Sequence, residues 1–158
     1  MRGGTSVISE ADYLFFVDRA LDGMTGVLLE LGDELANRKP DLPGANTPYQ
    51  ILTHCLGVVA FWGGQVVAGR EVERDRPAEF TAAGPVAELV ERTAAVRARF
   101  GADVAGAEYD QPVRREPPPH WRTFPGGISQ GAALQHVYEE LAQHHGQLQV
   151  TRDALLGG

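Results

Sequence analysis

The sequence predicts an all-α protein, four helices in a bundle with one long crossover loop, and three observations carry that reading. Apolar residues recur at threes and fours in four separate stretches, at approximately 9–37, 48–68, 85–103 and 130–155. In the last stretch Leu134, Leu141, Leu148 and Leu155 repeat every seven residues, with Val137, His144 and Thr151 between them, which is the seam of a helix packed against others. Between the third and fourth stretches, Pro112, Pro117, Pro118, Pro119 and Pro125 rule out a continuous helix. At 158 residues the chain fits a single domain, 1–158, of a size that buries about 70% of its unfolded surface.

The first helix starts at Ser9-Glu10-Ala11-Asp12, a capping box with Ile8 and Tyr13 placed as a hydrophobic staple. Leu14, Val17, Leu21, Met24, Leu28, Leu31 and Leu35 follow at helical spacing until Asn37-Arg38-Lys39-Pro40 ends the pattern. Gly23, Gly26 and Gly32 each weaken this helix by up to ~1 kcal/mol relative to Ala, so packing must hold it. Thr47-Pro48-Tyr49-Gln50 opens the second helix with a Thr cap, Pro at the first helical position and Gln at the third. From Ile51 to Val67 it carries no Asp, Glu, Lys or Arg, which predicts a helix enclosed by protein.

Gly69 stops that helix, and Arg70-Glu71-Val72-Glu73-Arg74-Asp75-Arg76-Pro77 is a mixed-sign run. It reads as a solvated connection, or as a place from which an arginine such as Arg70 reaches a ligand's negative group. Gly84-Pro85 opens the third helix, with Val86, Leu89, Val90, Thr93, Val96 and Phe100 inward and Glu88, Glu91, Arg92 and Arg99 outward. The stretch from Gly101 to Gly127 is locally basic, with Arg114, Arg115, His120, Trp121 and Arg122. It is either a crossover loop pinned by Trp121 or a lid in which Arg114, Trp121 and Arg122 hold a polar or anionic substrate. Ser129 caps the fourth helix.

Composition narrows the function classes. A net charge of −7 argues against nucleic acid and anionic lipid as partners. The uncharged run is too short and glycine-rich to read as a membrane span, and no second hydrophobic span exists. Cys55 is the single cysteine, so there is no internal disulfide and no cysteine-rich structural metal site. With no secretory signal at the start, the expected location is cytoplasmic.

The chemistry-bearing residues lie on the apolar helices. Glu140 is about 40° round the helix from His144, and His136 about another 40° beyond, forming a ladder along the edge of the apolar face. His54, on the uncharged second helix, is the third ligand candidate. Two histidines and a glutamate are a ligand set of catalytic zinc sites that leave one position open. A metal held by His54, Glu140 and His144 would act on bound water or on a bound thiol, and spacing does not choose between them. Plain core histidines, hydrogen-bonded inside the protein, are the alternative.

The run Thr47-Pro48-Tyr49-Gln50-Ile51-Leu52-Thr53-His54, followed by His136-Val137-Tyr138-Glu139-Glu140-Leu141-Ala142-Gln143-His144-His145-Gly146-Gln147, resembles the DinB-like superfamily of metal-binding four-helix bundles. More narrowly it is similar to the actinobacterial branch of mycothiol-dependent enzymes, whose maleylpyruvate isomerase has a His, Glu, His set matching His54, Glu140 and His144. The resemblance implies a metal, zinc or nickel or another divalent ion, and mycothiol as thiol cosubstrate. It implies an S-transferase in which the metal-bound thiolate attacks a small electrophile. His136 matches a histidine common in the superfamily and is expected behind the ligands. The isomerase has a further C-terminal domain, so a stand-alone transferase is expected here. Members are often dimers, which leaves a homodimer open. A hydrolase of the same fold and a non-catalytic stress-response module are the competing readings.

Overall fold

The computed structural model describes residues 8–121 and 126–157. The fold is all-α: α1 is Glu10–Ala36, α2 is Pro48–Val59 continued as a π-helical segment Ala60–Val67, α3 is Arg76–Glu79, α4 is Val86–Ala105 and α5 is Gln130–Gly157. Four of these form the bundle, and α3 is a single turn inside a connection. There is no strand among the described residues, only one bridge pair, Pro112 with Ser129.

Pair contacts give the directions. Asp33 of α1 accepts from the backbone N–H of Val86 at 2.9 Å, and Tyr13, at the other end of α1, packs on Phe100, so α1 and α4 are antiparallel. The Tyr49 hydroxyl lies against Gly84 and the Phe100 ring against Gly63, so α2 and α4 are parallel. Tyr13 donates to the Leu134 carbonyl, and Arg152 pairs with Glu30 at 3.6 Å, so α1 and α5 are also parallel. Around the bundle the order is α1, α4, α2, α5, running up, down, down, up.

That order decides what each connection does. Residues 68–85 must carry the chain back along the whole bundle, because α2 and α4 run the same way. Residues 106–129, where the sequence suggests the crossover, join diagonally placed helices at one end. Buried Gln130 pins this second connection: its side chain donates to the Pro112 carbonyl at 3.0 Å and accepts from the Glu108 N–H at 2.9 Å.

Helix limits fall within two residues of those expected, and the interiors differ in two places. α1 is interrupted at Gly32, whose φ of 71° lies in the left-handed region that glycine enters without a steric penalty. The turn that follows presents Asp33 and Asn37 to the start of α4, where Asn37 exchanges hydrogen bonds of 2.9 and 3.1 Å with Gly84. The second helix widens to π geometry from Ala60, so the Val66 carbonyl is left to accept from the N–H of Arg114 at 2.9 Å.

The core is one cluster, with Leu21, Leu28, Leu52, Leu56, Phe100, Leu141 and Leu148 among its fully buried members. Pro48–Val67 is long and apolar enough to cross a bilayer, with mean hydropathy 1.3, yet 83% of that window is buried inside the bundle. Cys55 is fully buried; burial first, then the Glu140 and Glu79 carboxylates, push its thiol far up, so it stays protonated and packs as an apolar group.

Candidate metal centre

The site forms where α2 and α5 run antiparallel and pack against each other. A complete capping box sets the register of α2: Thr47 accepts from the Gln50 N–H at 3.1 Å, and the Gln50 side chain accepts from the Thr47 N–H at 3.0 Å. His54 then falls on the second turn, facing α5. On α5 the leucine seam holds the helix, and Glu140 and His144 share its edge one turn apart.

The three side chains meet. His54 Nε2 and His144 Nε2 each lie 3.4 Å from Glu140 Oε2, and one donor atom from each residue lies within 4.8 Å of the other two. Such contacts are long for N–H···O hydrogen bonds, whose usual separation is about 2.9 Å. They match the edge of a tetrahedron around an ion with bonds of ~2.05 Å, which is ~3.4 Å. The two edges that meet at Glu140 are therefore of the length a tetrahedrally bound divalent ion requires.

Both imidazoles are oriented from behind. His54 Nδ1 is 3.0 Å from Glu79 Oε1, and His144 Nδ1 is 2.7 Å from Gln147 Oε1. With the proton on Nδ1, each ring would donate to its outer acceptor and turn the Nε2 lone pair toward the site, the arrangement expected of metal-binding histidines. Glu79 is itself fixed by Arg74, which donates Nε to Oε2 at 2.8 Å and Nη2 to Oε1 at 2.9 Å. Phe80 stacks on the His54 ring with centroids 5.2 Å apart.

These supports are where the sequence reading needs correction. The charged run after Gly69 is not simply solvated: Asp75 caps the single turn α3 by accepting from the Ala78 N–H at 3.1 Å, and that turn buries Glu79 to 5% exposure. Gly57 makes the space, since a Cβ there would lie 2.0 Å from Glu79 Oε2. In an ordinary helix Gly→Ala stabilises by up to ~1 kcal/mol. Here Gly57→Ala is expected to destabilise by about 1–3 kcal/mol, as overpacking does, and to weaken metal binding; chemical denaturation and metal titration check both.

The other candidate residues are spread out. Trp121 lines the same cavity as His54 and Glu140, about 160 Å³ in volume, and packs on His136 and Trp62 with ring centroids at 4.2 and 5.0 Å. His136 lines that cavity as well, but it does not join the three-donor cluster; its Nδ1 makes a long 3.4 Å contact to Glu139. Arg70 lies outside this cavity and is held by Asp103 through two hydrogen bonds, one of 3.0 Å. Arg114 also lies outside it, donating to the Gly106 carbonyl at 2.8 Å. Arg122 falls outside the described residues. The arginines that do line the cavity are Arg74 and Arg76, with His120 beside them.

Charge in the site is coupled. The His144 and then the His54 imidazole beside it hold the Glu140 carboxyl far below its ordinary value of 4.5, and Glu140 raises His144 above 6.5. In metal-free protein the His144 contribution is complete below pH 6.5 and is lost as pH rises through the raised folded value. The Glu140 contribution is present above pH 4.5 and is lost as pH falls toward its lowered value. Thermal melts of metal-free protein should therefore show stability falling from pH 6 toward pH 9, with that slope reduced in Glu140→Gln. Metal affinity should move the other way, rising with pH as His144 gives up its proton.

By fold this is an all-α four-helix bundle. A conserved protein from Enterococcus faecalis, known as a crystal structure, has a similar fold, with TM-score 0.72 at 15% identity over 97% of this chain and 100% of that one. The sequence of residues 13–157 matches the mycothiol-S-transferase family, and the chain belongs to that family. Membership implies mycothiol S-transferase activity and a small-molecule thiol as substrate. A comparison with curated proteins finds no match.

Proposed function

We propose that this protein is a metal-dependent S-transferase, a single domain in which His54, Glu140 and His144 hold a divalent ion and mycothiol is joined to a small electrophile. The observation that carries the reading is the pair of imidazoles, each engaged at Nδ1 by an outer acceptor while the Nε2 atoms converge with Glu140. Zinc, or another divalent ion, bound there would keep a thiol sulfur ionised near neutral pH.

The chain's own groups do the rest. Glu140 brings a negative charge that offsets part of the ion's charge. Glu79 and Arg74 hold His54 in one tautomer, and Gln147 does the same for His144. Trp62, Trp121 and His136 form an aromatic wall that keeps one side of the cavity dry. Arg74 and Arg76 give the cavity a cationic rim suited to a polar electrophile.

The test uses zinc-loaded protein, a bimane electrophile and mycothiol. Conjugation that requires both thiol and metal, and that a chelator abolishes, is the expected result. Turnover that proceeds equally without thiol would assign the site to water and hydrolysis. Full activity in metal-stripped protein would remove the ion from the reaction.

A further inference from the structure

We propose that a second site, in the groove between α2 and α4, binds a small organic monoanion with an apolar body, such as an aryl carboxylate. The groove lies on the other side of α2 from the metal centre: Val59 and Ala60 line it, whereas Val58, Phe61 and Trp62 line the cavity beside His54. Its volume is about 360 Å³, within the ~300–1,000 Å³ typical of small-molecule sites.

Shape and charge select the ligand. Val59, Val72, Val96 and Phe100 make an apolar floor. One stripe of α4, positions 92, 95, 96, 99 and 103, forms a wall, and the small Ala95 leaves room between two exposed arginines, Arg92 and Arg99. Arg70, on the rim, is held by Asp103. Arg92 and Arg99 have no hydrogen-bond or ion-pair partner among the described residues. They stand two turns apart on α4, about 10 Å along its axis, within reach of one carboxylate placed between them. In a chain of net charge −7 the groove carries three arginines against Glu71 and Asp103, a net positive charge beside an apolar floor. Glu71 on the same rim disfavours a second negative charge on the ligand. A second cavity of about 280 Å³, walled by Arg74 and Glu79, shares Ala60, Val72 and Arg92 with this groove.

Calorimetric titration of the full chain with 2-naphthoate tests this site, with 2-acetylnaphthalene as the neutral counterpart. One saturable site per chain is expected, with the neutral compound weaker by at least about tenfold, the worth of a charge-assisted contact. The double variant Arg92→Ala/Arg99→Ala, which alters only exposed side chains, should lose about tenfold or more, and Ala95→Leu should weaken binding by filling the groove. His144→Ala should bind 2-naphthoate as the unaltered chain does, which separates this site from the metal centre. Equal affinity for the two compounds, no saturable binding, or retained binding in the arginine double variant would overturn the proposal. Loss confined to His144→Ala would place the carboxylate at the metal centre instead and overturn it equally.

Discussion

His144→Ala is expected to yield a folded bundle carrying less than about a tenth of the metal bound by the unaltered chain. Removing an outer partner of a metal-binding histidine typically costs 10–100-fold in affinity or activity, so removing one of three donors should cost more than ~100-fold. The fold should tolerate the change, because the His144 side chain is only half-buried, at 25% exposure, and the leucine seam beside it is intact. Elemental analysis of protein purified without a histidine tag or chelator should find about one divalent ion per unaltered chain. His54→Ala and Glu140→Ala should behave alike toward metal. Stoichiometric metal in all three variants would sink the assignment of these residues, and conjugating activity surviving metal loss would sink the mechanism.

The second large effect is on stability as much as on chemistry. Glu79→Ala removes the carboxylate shared by His54 and Arg74, leaving a guanidinium at 16% exposure and a buried imidazole N–H without an acceptor. Breaking a buried pair from one side costs about 3–5 kcal/mol, and Arg74's partial exposure argues for the lower end. Glu79→Gln keeps an acceptor for His54 while losing the charge. It should stay closer to the parent in denaturant midpoint while losing about 10–100-fold in metal affinity. Equal metal affinity in Glu79→Gln and the parent would show that Glu79 serves only to pack α3.

The helices and the clustering of three polar side chains are legible in the sequence because each rests on local periodicity: a Ser9 N-cap and a Thr47 capping box, a seven-residue leucine repeat, and a Glu and His one turn apart. The meeting of His54 with α5 is legible only as chemistry, an imidazole on an uncharged helix in need of a partner. Glu79 is invisible to the same reasoning. Its burial depends on Gly57, Arg74 and His54, brought together by a connection whose charged composition reads as surface. One signal does point there: an imidazole has two ring nitrogens, so a metal on Nε2 still leaves Nδ1 to be satisfied, and a nearby carboxylate on the next segment is the natural source. Arg70 illustrates the converse. Its charge suggests a ligand, but Asp103, on the parallel neighbour α4, meets that need inside the fold.

The parallel pairing of α1 with α5 has a kinetic consequence. Tyr13 meets Leu134 across 121 positions, and His54 meets Glu140 across 86, so contacts that complete the bundle and the site close long stretches of chain. Chains of this kind fold more slowly than up-and-down bundles assembled from adjacent hairpins, because long loops must close before their contacts repay the lost entropy. The donor trio does not exist until the last helix docks. An ion would therefore arrive late, locking a nearly finished bundle, and should slow unfolding far more than it speeds folding.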